Sequence, residues 1–240
     1  MTIAVLIPAH NEADRIAATV RAAYGIPGVS VCVVVDDASR DDTARIAEEA
    51  GAKVIRLEFN VGKGAALETG AARVANADYI LLLDGDLGET AEQGRLLLHP
   101  LLEGTADMAI AGFPRPAGKA GFGLVKRLAR WGIARMGGGF LADSPLSGQR
   151  ALTRECLESV RPFASGYGVE VALSVRALRA GLTLAEVPTT MTHAATGRDL
   201  AGFIHRGRQF VHVALALIRL ASERPMSSMD SRSGERGKES

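Results

Sequence analysis

The chain has 240 residues, of which 47% are hydrophobic and 23% charged, and its 28 Lys and Arg against 27 Asp and Glu leave a formal net charge of +1. That composition excludes a collagen-like, coiled-coil or wholly disordered chain, and the near-neutral charge gives no sign of a nucleic-acid partner. Two distant cysteines, Cys32 and Cys156, lack metal-type spacing and read as buried free thiols of a reducing cytoplasm, not as a disulfide scaffold.

The first apolar stretch, Met1–Pro8, has no basic leader and no small-residue cleavage site. It reads as a first strand and not as a signal peptide. Strands are expected at Ile3–Ile7, Ser30–Val35, Lys53–Leu57 and Tyr79–Leu83, each a short apolar run of the kind buried on both faces of a parallel sheet. Helix signals alternate with them at about Asn11–Tyr24, Asp41–Ala50 and Gly62–Asn76, and Ser39 or Asp41 is placed to cap the second. This βαβαβαβ order predicts an α/β, Rossmann-like, doubly wound and mostly parallel sheet. Further strands are expected at Asp107–Gly112 and Thr183–Val187. Helical spacing recurs inside the glycine-rich, basic segment Gly118–Gly139, then at Val169–Ala180 and from about Asp199 to Ser222. The tail Pro225–Ser240 has no periodicity and reads as disordered. No run of about 18 apolar residues is present, so no membrane span is expected. The reading is a single domain over 1–224, with a nucleotide-binding half (1–105) and an acceptor half (106–224).

Ligands of doubly wound sheets bind beyond the carboxyl ends of the strands. Those positions hold Pro8-Ala9-His10-Asn11-Glu12, Asp36-Asp37-Ala38-Ser39, Asn60-Val61-Gly62-Lys63-Gly64 and Asp84-Gly85-Asp86. Asp84 and Asp86 flank a glycine directly after an apolar strand. Two crowded carboxylates favour a hard divalent cation, which could neutralise a diphosphate leaving group; the bland reading is a solvated turn. Asp36 and Asp37 suit hydrogen bonds to a ribose hydroxyl or a base N–H, or capping of the next helix. Lys63 lies in a Gly-Lys-Gly triplet without P-loop spacing. It offers an ammonium near phosphate or base.

The ordered set of these four segments resembles glycosyltransferase family 2, over about residues 3–200. The resemblance implies a GT-A fold and a nucleotide-diphosphate sugar donor carrying UDP or GDP. It implies that Pro8, Ala9, Asn11, Glu12, Asp37 and Lys63 line the nucleotide pocket; Asp36 and Gly85, in the same segments, are further candidates for nucleotide-sugar binding. It also implies that Asp84 and Asp86 form a D-x-D pair holding Mg²⁺ or Mn²⁺ against the diphosphate. Pro145-Leu146-Ser147-Gly148-Gln149-Arg150-Ala151 is similar to a segment of the polyprenyl-phosphate sugar synthase branch, and by that likeness Arg150 would meet phosphate. Gln149 stands where that branch has an aromatic, and Asp143 is one residue out of its register. His193 is either a further metal ligand, as in glucosyl-3-phosphoglycerate synthases, or a surface or diphosphate-facing histidine.

From Met108 to Ala142 there is no acidic residue, while Arg115, Lys119, Lys126, Arg127, Arg130 and Arg135 alternate with aromatic and aliphatic groups. That mixture suits an interfacial helix on anionic lipid, a phosphorylated acceptor, or a solvated basic face. Taken together, the expectation is a metal-dependent transferase moving a sugar from a nucleotide-diphosphate donor to a phosphorylated acceptor. That acceptor is a polyprenyl phosphate met peripherally at the cytoplasmic membrane face, or a small phosphorylated or hydroxylated molecule. A hydroxyl acceptor needs a base, for which Glu170 is the first candidate and Asp143 the second. A nucleotidyltransferase is the competing class. Ala9-His10-Asn11-Glu12 stands where that class would carry a glycine-rich basic loop. A non-catalytic nucleotide-sugar binder is the other alternative.

Overall fold

A computed structural model describes residues 1–113, 123–164, 166–192 and 200–223, with residues 200–209 and Tyr167 described by backbone alone. His193 and the tail 225–240 lie outside the described residues. Among the described residues seven strands form one sheet: β1 (Ile3–Ala9), β2 (Val29–Asp36), β3 (Lys53–Arg56), β4 (Tyr79–Leu82), β5 (Met108–Gly112), β6 (Arg150–Thr153) and β7 (Leu184–Pro188). Their order is β3-β2-β1-β4-β6-β5-β7. All neighbours pair in parallel except β6, which runs antiparallel to both β4 and β5.

Alternation along β1 shows how the layers form. Ile3, Val5, Ile7 and Ala9 pack into one core with Ile16, Val20 and Ala23 of α1 (Ile16–Tyr24), while Ala4 and Leu6 face a second core with Ala66, Leu67 and Ala71. Side chains of a strand point alternately to opposite faces, so a continuous apolar run supplies both cores. α2 (Thr43–Glu49) lies on the first side, and α3 (Lys63–Val74) on the second. The chain also has α4 (Gly94–Leu102), α5 (Gly123–Met136), α6 (Arg154–Val160), α7 (Val169–Arg179) and α8 (Leu200–Ser222). A third cluster joins Val125, Ala129 and Ile133 of α5 to Val171 and Val175 of α7 and to Val213, Leu217 and Leu220 of α8. Among the described residues, no helix is long and apolar enough to cross a membrane.

Several boundaries differ from the sequence expectation. α1 starts at Ile16, not Asn11, because Asn11 has φ +56° and its N–H is taken by Ser39 Oγ at 2.9 Å. Ser39 is thereby drawn away from α2, and Asp41 Oδ1 accepts the Thr43 N–H at 3.1 Å instead. β6, α4 and α6 were not anticipated. β6 is four residues long and opens on a charged one, and α4 carries Pro100 in its interior. α6 has a sequence-readable cap, Thr153 Oγ1 accepting the Cys156 N–H at 3.2 Å.

α3 approaches the sheet at Gly70. A Cβ there would lie 2.3 Å from Leu6 Cδ1 and 2.8 Å from Val35 Cγ2, both on fully buried side chains. Alanine improves helix propensity by about 1 kcal/mol, but overpacking a closed core costs about 1–3 kcal/mol. Gly70→Ala is therefore expected to lower the urea midpoint at unchanged m-value. An unchanged or raised midpoint would show that α3 can move away freely.

Candidate active site

The reversed strand assembles the site. Because β6 runs backwards, its first residue, Arg150, pairs with Leu82 at the carboxyl end of β4. Gly148 and Gln149, just before β6, are thus delivered beside Asp84, two residues after β4. Gln149 Nε2 donates to Asp84 Oδ2 at 2.6 Å. Lys63, the first residue of α3, places Nζ 2.6 Å from Asp84 Oδ1 and 3.1 Å from Oε1 of Glu170, in the first turn of α7. Burial works against the Lys63 ammonium, but the two carboxylates outweigh it and hold the group well above lysine's ordinary range. Gly148 stands close against this pair. A Cβ there would lie 2.3 Å from Lys63 Nζ and 3.0 Å from Asp84 Oδ2.

Asp37 acts on the loop that presents Lys63. Its carboxylate accepts the N–H groups of Val61 at 2.7 Å and Gly62 at 2.8 Å. Its carbonyl lies 2.7 Å from His10 Nδ1. Asp36 is buried and accepts from the Ser39 N–H at 3.2 Å. Asn11 Oδ1 accepts the Arg40 N–H at 2.8 Å. Pro8 and Ala9 pair with Val35 and Asp36 at the end of β1, Ala9 buried and Pro8 half-buried. The first two segments therefore interlock at the carboxyl edge.

The Asp84–Asp86 turn is held from α1. Thr19 Oγ1, fully buried, donates to the Gly85 carbonyl and accepts the Gly88 N–H, both at 2.8 Å. Arg15 Nη1 donates to the Asp86 carbonyl at 3.2 Å. Glu12 stands close enough to feel the turn's charge. Partial burial, then Asp86, Asp84 and Asp41, push its carboxyl up from 4.5 to about 7. Among the described residues no three His, Cys, Asp or Glu side chains converge as a metal-holding group. The carboxylates of Asp84 and Asp86 at one turn are hard oxygen donors, a chemistry compatible with Mg²⁺ or Mn²⁺.

Two expectations need correction. Arg150 does not meet phosphate in this arrangement, because it is 0% exposed. Its guanidinium donates to the carbonyls of Ser147 at 3.0 Å and Glu170 at 2.9 Å, and to Ser174 Oγ at 3.0 Å. It is a positioning residue that ties the segment before β6 to the start of α7. Asp143 stays outside the cluster: its carboxylate pairs with Arg130 at 3.1 Å, and its N–H donates to Glu186 Oε2. The structure also adds residues that the sequence reading missed. Gln149 and Gly148 were visible only as parts of a motif. Thr19 carried a signal in being a lone hydroxyl inside an otherwise apolar helical face.

The Glu12 shift has a sign that can be tested. Its folded pKa lies above the unfolded one. Between about 4.5 and 7 the folded chain keeps a proton that the unfolded chain has lost, and stability falls as pH rises. In metal-free buffer Glu12→Gln is expected to gain on the wild type in urea midpoint from pH 5 to pH 8. A difference independent of pH would contradict the crowding of charge at this turn.

Comparisons with known proteins identify the family. The glycosyl transferase family 2 model matches residues 4–149. Glycosyltransferase AglJ of Haloferax volcanii is 32% identical over 200 residues, 82% of this chain and 65% of that protein. Glucosyl-3-phosphoglycerate synthase of Mycolicibacterium paratuberculosis is 35% identical over 198 residues, 72% of this chain and 59% of that protein. The chain thus spans about three fifths of the length of these two relatives. A crystal structure of glucosyl-3-phosphoglycerate synthase from Mycobacterium tuberculosis, in complex with Mn²⁺, UDP-glucose and phosphoglyceric acid, superposes with a TM-score of 0.74. It is 29% identical, covering 94% of this chain and 81% of that one. With the sheet order, the strand-end segments and these matches in agreement, the chain belongs to glycosyltransferase family 2.

Proposed function

We propose that the protein transfers a sugar from a nucleoside-diphosphate donor to a phosphorylated acceptor with the help of one divalent cation, Mg²⁺ or Mn²⁺. The observation that carries this reading is the Lys63–Asp84–Glu170 cluster beside Asp86 at the carboxyl edge of the sheet. Asp84 and Asp86 would hold the cation, which supplies positive charge to a diphosphate leaving group. Lys63 adds a second positive charge to the same region, fixed by α3 and by the Asp37 clamp on the preceding loop. Fixed charges aimed at a developing anion cost no reorganisation when the glycosidic bond breaks. Pro8, Ala9, Asn11, Glu12 and Asp36 line the strand-end region assigned to the nucleoside. A phosphate acceptor is already ionised, so no proton has to move, and Glu170 then serves as a counter-charge for Lys63. For a hydroxyl acceptor Glu170 would be the base.

Two acceptors fit this reading. A polyprenyl phosphate at a membrane surface is favoured by the outward stripe of α5. There Leu124 is 70% and Trp131 59% exposed, alternating with exposed Arg127 and Arg135. Apolar and basic groups on one helix face suit an anionic lipid surface. α8 presents Val211, Leu215 and Ile218 outward as well. A small phosphorylated acid is favoured by the likeness to the synthase crystallised with phosphoglyceric acid.

Purified protein offered UDP- or GDP-sugars with Mn²⁺ or Mg²⁺ is expected to turn over donor only with metal. Asp86→Ala should lower turnover by about 10²–10³-fold, the loss typical of a fixed electrostatic stabiliser. Labelled sugar appearing on polyprenyl phosphate in anionic vesicles supports the first acceptor, and labelled phosphoglyceric acid supports the second. No metal-dependent donor turnover under any condition would contradict the proposal.

A further inference from the structure

Both oxygens of the Asp84 carboxylate face donors from this chain. Oδ1 meets the Lys63 ammonium and Oδ2 the Gln149 amide, each at 2.6 Å. The absent side chain of Gly148 leaves the space in which Nζ sits. The side chains of Lys63 and Asp84 are only 28% and 25% exposed, so solvent and salt screen the pair incompletely. A divalent ion approaching Asp84 therefore meets a positive charge already in place.

We propose that Lys63 is an internal counter-cation that keeps Asp84 poorly available to a divalent ion until a diphosphate offers the ammonium another anion. Metal and nucleotide then bind cooperatively. The inference rests on the reading of Asp84 and Asp86 as metal carboxylates and concerns how that site is regulated. Glu170 makes the exchange feasible. With Oε1 3.1 Å from Nζ, it keeps an anion beside the ammonium when Asp84 is given up. Lys63 thus never becomes an unpaired, half-buried charge, which would be costly. A diphosphate brings negative charge that Lys63 and the metal can share, and linkage makes the coupling reciprocal. The apo arrangement guards Asp84 with a charge that the donor later uses.

The test reads Mn²⁺ binding, not turnover, by the electron paramagnetic resonance signal of free Mn²⁺ titrated with protein. The wild type is expected to bind Mn²⁺ weakly alone and at least about fivefold more tightly with saturating UDP, the lower end of ordinary coupling. Lys63→Met should bind Mn²⁺ alone more tightly than the wild type and respond less to UDP. Lys63→Arg, which keeps the charge, should bind Mn²⁺ alone as weakly as the wild type. Circular dichroism checks that the variants fold. If Lys63→Met is misfolded, the arginine variant and the wild-type UDP response still decide. Equal or weaker Mn²⁺ binding by folded Lys63→Met, tight binding by Lys63→Arg, or no UDP effect on the wild type would overturn the inference and leave the metal site standing. No Mn²⁺ binding by the wild type even with UDP would overturn the metal site together with the inference.

Discussion

The Lys63 ammonium, held between the carboxylates of Asp84 and Glu170, is the contact to which the other constraints lead. Three segments distant in sequence must meet there: the start of α3, the turn after β4 and the start of α7. Each is fixed by a different device. Asp37 clamps the Val61 and Gly62 N–H groups before α3. Thr19 holds the Gly85 carbonyl within the Asp84–Asp86 turn and the Gly88 N–H just after it. Arg150 anchors the Glu170 carbonyl from inside the core. Burial pulls the Arg150 guanidinium down to about 10, which still leaves it cationic at neutral pH. A buried cation with satisfied donors specifies one arrangement of the segments it joins, at the cost of desolvation.

Much of the parallel half of the fold was legible in the sequence because β1, β2 and β4 are apolar on both faces. A run such as Val33-Val34-Val35 serves two cores at once, and such runs stand out from amphipathic helices. β6 was not legible because Arg150–Thr153 is short and begins with a charge whose burial only tertiary structure explains. The same cause misled the reading of Arg150. An arginine in a phosphate-like motif suggests an exposed ligand, and nothing local reveals the carbonyls of Ser147 and Glu170 that surround it. Asp84, Asp86, Lys63 and Glu12 were legible from their places after strands, which follow from where a doubly wound sheet opens. Their mutual contacts were not, since the register of an antiparallel strand decides which residue stands beside Asp84. Gln149 illustrates this: noted in the sequence only as a departure from an aromatic, it donates to the central carboxylate.

The halves proposed for donor and acceptor are built differently. The strand-end cluster is built of fixed charges and backbone clamps, as suits chemistry that must recur unchanged. The acceptor side is built differently. α5, α7 and α8 share a small core of their own, and α5 and α8 turn apolar and basic groups outward. Glu170 is one of the links between the two sides: its carboxylate faces Lys63 while neighbouring Val171 packs into the α5–α8 core.

The central claim is that Asp84 and Asp86 hold a metal against a diphosphate that also engages Lys63. Crystals grown with Mn²⁺ and UDP, measured for anomalous scattering from manganese, test it most directly. The account predicts one strong peak between the Asp84–Asp86 turn and the diphosphate, with the Lys63 ammonium moved from Asp84 Oδ1 towards a phosphate oxygen. A peak away from both aspartates, or UDP bound at another edge of the sheet with the Lys63–Asp84 pair intact, would contradict it.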